Sequence, residues 1–190
     1  MTTNATAAPA RVLLLPGWLD SGPGHWQSVW ELRHGDQRVQ QADWQWPRRG
    51  DWMARLEEVL LDDSRPALLA AHSLGCHLVA AWAAHTRHSG RVLGALLVAP
   101  PDLERPDMPP QLHGWRPVVK QRLPFPSALV YSDDDPFCAP SASLALAAAW
   151  QAQPHAAGAL GHVNGDSGLG EWREGRRWLE ALATSRTAAV

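Results

Sequence analysis

The stretch ALLAAHSLGCHL, Ala67 to Leu78, governs how the rest of this chain is read. A short apolar run, Ala67–Ala71, leads into a His-Ser-Leu-Gly turn, after which Leu74, Leu78, Ala81 and Trp82 recur at helical spacing. That is the setting of a nucleophile elbow, in which a serine on a strained strand-to-helix turn lifts its hydroxyl to the top of a parallel sheet, at a helix N-terminus. Ser73 is the serine in question. Strand and helix backbones nearly touch at such a turn, so small residues are needed two before and two after it, and Ala71 and Gly75 stand there. Ala71 replaces the usual glycine by one methyl. The competing reading is a buried serine in an ordinary βα turn, and a short motif needs its context to decide.

The context is a repeated alternation. Arg11–Leu15 (RVLLL) is a buried-strand candidate stopped by Pro16 and Gly17, and the glycine loop PGWLDSGPG precedes a helix over His25–Arg33. Arg38–Ala42 is a weaker strand, and Asp51 is expected to cap a helix reaching Leu61 with Trp52, Leu56, Val59 and Leu60 inward. After the elbow come strands at Arg91–Ala99 and Ser127–Tyr131, separated by a segment with seven prolines from Pro100 to Pro124. A helix over Ala139–Gln151, an edge strand at Pro154–Leu160 and a closing helix over Leu169–Ala183 complete the chain. Continuous rather than alternating apolar strands, each followed by a helix, imply a mostly parallel six-stranded sheet covered on both faces. Ligands of such sheets sit beyond the carboxyl ends of the strands.

At 190 residues the chain fits one domain, with 1–9 and 185–190 expected as loose tails. A net charge of −2 advertises no nucleic-acid partner. No signal peptide or apolar run of membrane length is apparent, so no membrane association and a cytoplasmic location are expected. Cys76 and Cys138 match no metal spacing and are expected as buried thiols. Most of the 11 tryptophans fall on helical stretches, where they would pack helices on the sheet.

A serine hydroxyl becomes a nucleophile only when a base takes its proton and a third group orients that base. Of nine histidines, only His162 follows a strand candidate in a Gly-His turn and lies beyond both the serine and an acid, the chain order expected of this motif. His72 abuts Ser73, but neighbouring side chains at a strand end point apart, so a structural role is expected for it. The fifth strand ends in Asp133, Asp134 and Asp135. Asp135 is chosen because a residue before proline is held extended and can reach across; Asp134 and Asp102 remain rivals. The backbone N–H groups of Leu74 and Trp18 are the expected oxyanion donors.

These residues resemble the small α/β-hydrolases similar to retinoblastoma-binding protein 9. The resemblance rests on LLLPGWLDSGPGHWQSVWE at 13–31, the Asp-Trp and Trp-Pro pairs at 43–47, AHSLG at 71–75, DDPF at 134–137 and GHVNGDSGLGEW at 161–172. It implies an α/β-hydrolase fold and a serine hydrolase with Ser73 as nucleophile, Asp135 as acid and His162 as base. Small carboxylic esters, or amino-acid esters and amides, are the implied substrates, with no metal or cofactor. No Leu-x-Cys-x-Glu string occurs, so the family's protein partner does not transfer and any protein partner is left open. A peptidase or amidase with the same triad, and a non-catalytic binding module, are the alternatives. The segment Ala99–Phe125 is too short and proline-rich for a lid domain, so an open, shallow pocket edged by Trp18 and Trp115 is expected, with plain packing the alternative for Trp115.

Overall fold

A computed structural model describes residues 10–187. Its strands are β1 (Arg11–Leu15), β2 (Gln37–Arg38), β3 (Ala67–His72), β4 (Val92–Val98), β5 (Ser127–Tyr131) and β6 (Gln153–Ala156). They form one sheet in the order β2-β1-β3-β4-β5-β6, every neighbouring pair parallel. This is the α/β-hydrolase fold. Its helices are α1 (Trp26–His34), α2 (Arg49–Asp62), α3 (Leu74–His85), α4 (Pro140–Trp150) and α5 (Arg173–Thr187).

Successive strand residues point to opposite faces, and the two faces build separate cores. Leu13, Leu15, Leu69, Ala71, Leu97 and Leu129 pack against α2, α3 and α4. Leu14, Leu68, Ala70, Leu96 and Val130 pack against α1 and α5. Because β3 is central and covered on both sides, all six of its residues are buried, which is why Ala67–Ala71 is apolar throughout. The expected inward residues of α2 are buried as well.

Several element boundaries differ from the sequence expectation. α2 starts at Arg49, with Arg48 at the cap and Asp51 inside the first turn, where its charge favours the helix N-terminus. The earlier start goes with the Arg49 guanidinium, which bonds the carbonyls of Trp115 and Pro117. β2 is only two residues long and lies one residue earlier, and its Arg38 side chain turns inward to Asp20, Ser28 and Glu31. β6 stops at Ala156, before Gly158 bends the chain at φ 74°. α5 begins four residues late because Gly168, Gly170 and Trp172 all have positive φ, which no right-handed helix accommodates. It then runs to Thr187, past the expected start of a tail at 185; residues 1–9 and 188–190 lie outside the described residues.

Between β4 and β5 the chain forms an irregular arch with one short 3-10 helix, Pro110–Trp115, and no lid domain. Arg116 holds the arch together through the carbonyls of Leu103 and Arg105. Trp115 does not edge a pocket. It is 2% exposed, packs edge-on against Trp52 at 5.5 Å and donates its indole N–H to the Pro47 carbonyl. An indole whose polar atom is satisfied in this way belongs in a core.

Candidate active site

Ser73 occupies the turn from β3 to α3 with φ 54° and ψ −123°, a conformation that costs a non-glycine residue on the order of 1–3 kcal/mol. The surroundings enforce it: the Ser73 N–H donates to the Val98 carbonyl, and α3 begins at Leu74. A Cβ on Gly75 would stand 2.2 Å from the Leu15 carbonyl oxygen, so only glycine fits where α3 crosses the end of β1. Gly17 is constrained from the other side, since a Cβ there would come within 2.7 Å of the Ser73 Cβ. The glycine loop therefore runs directly over the serine, and Trp18 follows it. Ala71 costs nothing visible, because its methyl is buried in the core facing α2 and α3. Ser73 makes no capping bond to α3, which leaves its hydroxyl free.

That hydroxyl meets His162. Ser73 Oγ lies 2.9 Å from His162 Nε2, and His162 Nδ1 lies 3.0 Å from both carboxylate oxygens of Asp135. A carboxylate can only accept, so Nδ1 carries the proton, and in the neutral imidazole Nε2 then presents a lone pair to the serine. Asp135 Oδ1 also accepts the Phe137 N–H at 2.9 Å. Asp134 and Asp102 are not at the imidazole. Asp134 accepts from the Gly161 N–H and the Ser132 hydroxyl, bonds that hold its carboxyl below the usual range and pin the turn carrying His162. Asp102 accepts the Glu104 N–H within its own loop.

Sequence reasoning missed how much of the neighbourhood holds that turn. His72 donates from Nε2 to the His162 carbonyl at 2.8 Å. Trp26 and Trp30 donate their indole N–H groups to the carbonyls of Val163 and Glu171, so two tryptophans expected only to pack α1 also anchor the 162–172 loop. His25 caps α1 by accepting the Gln27 N–H at Nδ1 and packs edge-on against His72 at 4.5 Å. Histidine is not among the favoured N-cap residues, which is why this role left no sequence signal. Trp18 and Leu74 both line the cavity above Ser73. That cavity measures about 590 Å³, within the range of small-molecule sites.

Three buried histidines couple the fold to pH. Burial, reinforced by the charge of Arg38, pushes His25 down to about 3, and burial pushes His77 down to about 4 and His72 well below 6.5. The folded chain keeps them neutral while an unfolded chain, titrating near 6.5, takes up protons. This stability is complete above about pH 6.5 and is lost as pH falls toward the folded-state values, by up to about 1.4 kcal/mol per pH unit per histidine. Denaturant titrations at about pH 7.5 and 5 should show the loss. His77→Gln, which can still donate to the Pro101 carbonyl that His77 now bonds, should shrink the difference by roughly a third; an unchanged difference would mean His77 is not buried neutral.

Cys76 and Cys138 are both free and buried. No group of three or more histidine, cysteine or acidic side chains among the described residues could hold a metal ion. No helix among the described residues is long and apolar enough to cross a membrane.

The family described as Serine hydrolase matches residues 12–181. The chain belongs to the serine hydrolase family. Membership makes it a hydrolase enzyme and removes the non-catalytic binding module from consideration. A structure described as a YdeN-like hydrolase from Pectobacterium atrosepticum is similar at 26% identity and a TM-score of 0.82, covering 93% of this chain and 92% of that one. The ydeN gene product of Bacillus subtilis aligns at 21% identity and a TM-score of 0.71, covering 93% and 100%. A Bacillus cereus carboxylesterase shares the fold at 16% identity and a TM-score of 0.60, covering 91% and 88%. No curated protein sequence matches the chain.

Proposed function

We propose that this protein is a serine esterase that cleaves small carboxylic esters through an acyl-enzyme intermediate. The observation that carries the reading is the 2.9 Å contact between Ser73 Oγ and Nε2 of His162, made by a serine in a strained elbow. In the first half-reaction Ser73 Oγ bonds to the ester carbonyl carbon while His162 Nε2 takes the hydroxyl proton. Negative charge builds on the carbonyl oxygen, where the N–H groups of Trp18 and Leu74 receive it. The bond to the alcohol oxygen then breaks, and His162 returns its proton to that oxygen. Water repeats the sequence on the acyl-serine: His162 takes a water proton, hydroxide adds, and the Ser73–carbon bond breaks with Ser73 recovering the proton. Asp135 keeps the imidazole in the required tautomer and offsets its transient positive charge. No redox partner or metal enters this balance.

The sequence resemblance to the retinoblastoma-binding protein 9-like hydrolases supports the same assignments, and the carboxylesterase of similar fold supports an ester substrate. Amide cleavage would use the same residues with a poorer leaving group. The test is labelling with a fluorophosphonate probe, which reacts with activated serines. Mass spectrometry should place one adduct on Ser73. Labelling at another residue, or none in folded protein, would overturn the reading.

A further inference from the structure

The cavity above Ser73 has two unlike walls. On the β4 and β5 side the arch contributes Pro101, Met108, Pro109 and Leu112, and Phe137 continues the same apolar surface to the lip, where it is 45% exposed. Arch and Phe137 loop are joined: the Asp102 N–H donates to the Phe137 carbonyl at 3.0 Å, and Arg105 donates to the Pro136 carbonyl at 2.6 Å. On the opposite side the loop at 22–25 meets the loop at 164–166 so closely that a Cβ on Gly165 would lie 3.5 Å from the Gly24 and His25 backbone. This second wall carries the polar side chains of Asp20, His25, Asn164 and Asp166 beside Leu19 and Pro23, and among the described residues no lysine or arginine lines the cavity.

His25 is the informative member of the polar wall. It is 5% exposed, and because Nδ1 accepts the Gln27 N–H, the neutral ring carries its proton on Nε2. That N–H is buried without a partner among the described residues. Asn164 uses its side-chain oxygen to cap the short helix behind it, accepting the Asp166 N–H, so its amide NH2 remains for other partners.

We propose that the apolar wall under the arch receives the acyl chain and that the polar wall receives the leaving group. The substrates are then esters of straight-chain apolar acids of short to medium length with polar alcohols that carry no negative charge. This inference rests on Ser73 being the nucleophile. Its direction follows from the chemistry. The alcohol oxygen must collect its proton from His162, and Asn164 and Asp166 leave the same turn as that histidine. The acyl group stays on Ser73, beside Leu74, in the cavity that Pro101 lines at the start of the arch. A polar group against Met108 and Leu112 would lose water and find no hydrogen-bond partner, whereas each methylene buried there favours binding. An anionic group finds no cation on either wall.

The test uses p-nitrophenyl esters from acetate to octanoate and palmitate, and then hexanoate esters of glycerol and of ethanol. Wild-type kcat/KM should rise on the order of ten-fold from acetate to hexanoate, without a further gain at palmitate. Met108→Phe should move the optimum to shorter chains and Leu112→Ala to longer ones, both leaving the glycerol-to-ethanol ratio in place. Asn164→Ala should lower that ratio without moving the chain-length optimum. If the arch variants change the ratio rather than the optimum, or change neither while Ser73 still takes the fluorophosphonate adduct, the division is wrong. A preference for palmitate would also overturn it. Loss of the adduct in wild-type protein would instead overturn the nucleophile assignment.

Discussion

Ser73→Ala should lower kcat for p-nitrophenyl acetate by about a million-fold, the loss seen when the nucleophile of other serine hydrolases is removed. The fold should survive. Ser73 makes no capping bond to α3, and alanine at φ 54° is strained no more than the serine it replaces. Melting temperature is therefore expected to stay close to that of the wild type, so that the lost activity is chemical. The residual rate would come from the cavity and the proposed oxyanion donors, the N–H groups of Trp18 and Leu74, which the substitution leaves alone. A variant that keeps even a hundredth of the activity while no longer taking the fluorophosphonate label would mean that another group attacks the ester.

Asp135→Asn should lower kcat by roughly ten-thousand-fold. An asparagine oriented by the Phe137 N–H, which Asp135 now accepts, can offer its NH2 to His162. Nδ1 would then be the acceptor and Nε2 would carry the proton, facing the Ser73 hydroxyl with a donor where an acceptor is required. Asp134→Asn is the control. It retains an oxygen for the Gly161 N–H and the Ser132 hydroxyl, so the turn should hold and kcat should fall by no more than about ten-fold. Asp102→Asn touches only its own loop and should do less. A crippled Asp134→Asn beside a mild Asp135→Asn would transfer the role of the acid to Asp134.

The two aspartates illustrate how far the sequence reaches. Both stand in one Asp-Asp-Asp-Pro string, and only the pre-proline position separates them locally. In the folded chain they serve the same turn by different routes, one through the imidazole and the other through the Gly161 backbone. His72 divides in the same way. Alternation at a strand end predicts that it points away from Ser73, but not that it meets the carbonyl of His162, 90 residues later.

By itself, the sequence determined the parallel sheet and the elbow at its centre. Apolar runs bounded by proline and glycine can be buried strands whatever the rest of the chain does, and Gly75 is legible because two backbones must touch there. Only the tertiary structure decided the start of α5, the fate of Trp115 and the partners of His25. α5 waits for Trp172, whose left-handed φ accompanies an indole packed against Trp26 and Trp30. Trp115 is core because the Pro47 carbonyl, 68 residues away, satisfies its indole. Local periodicity reports which way a residue points, whereas its partner depends on which loops the strand order brings to one edge.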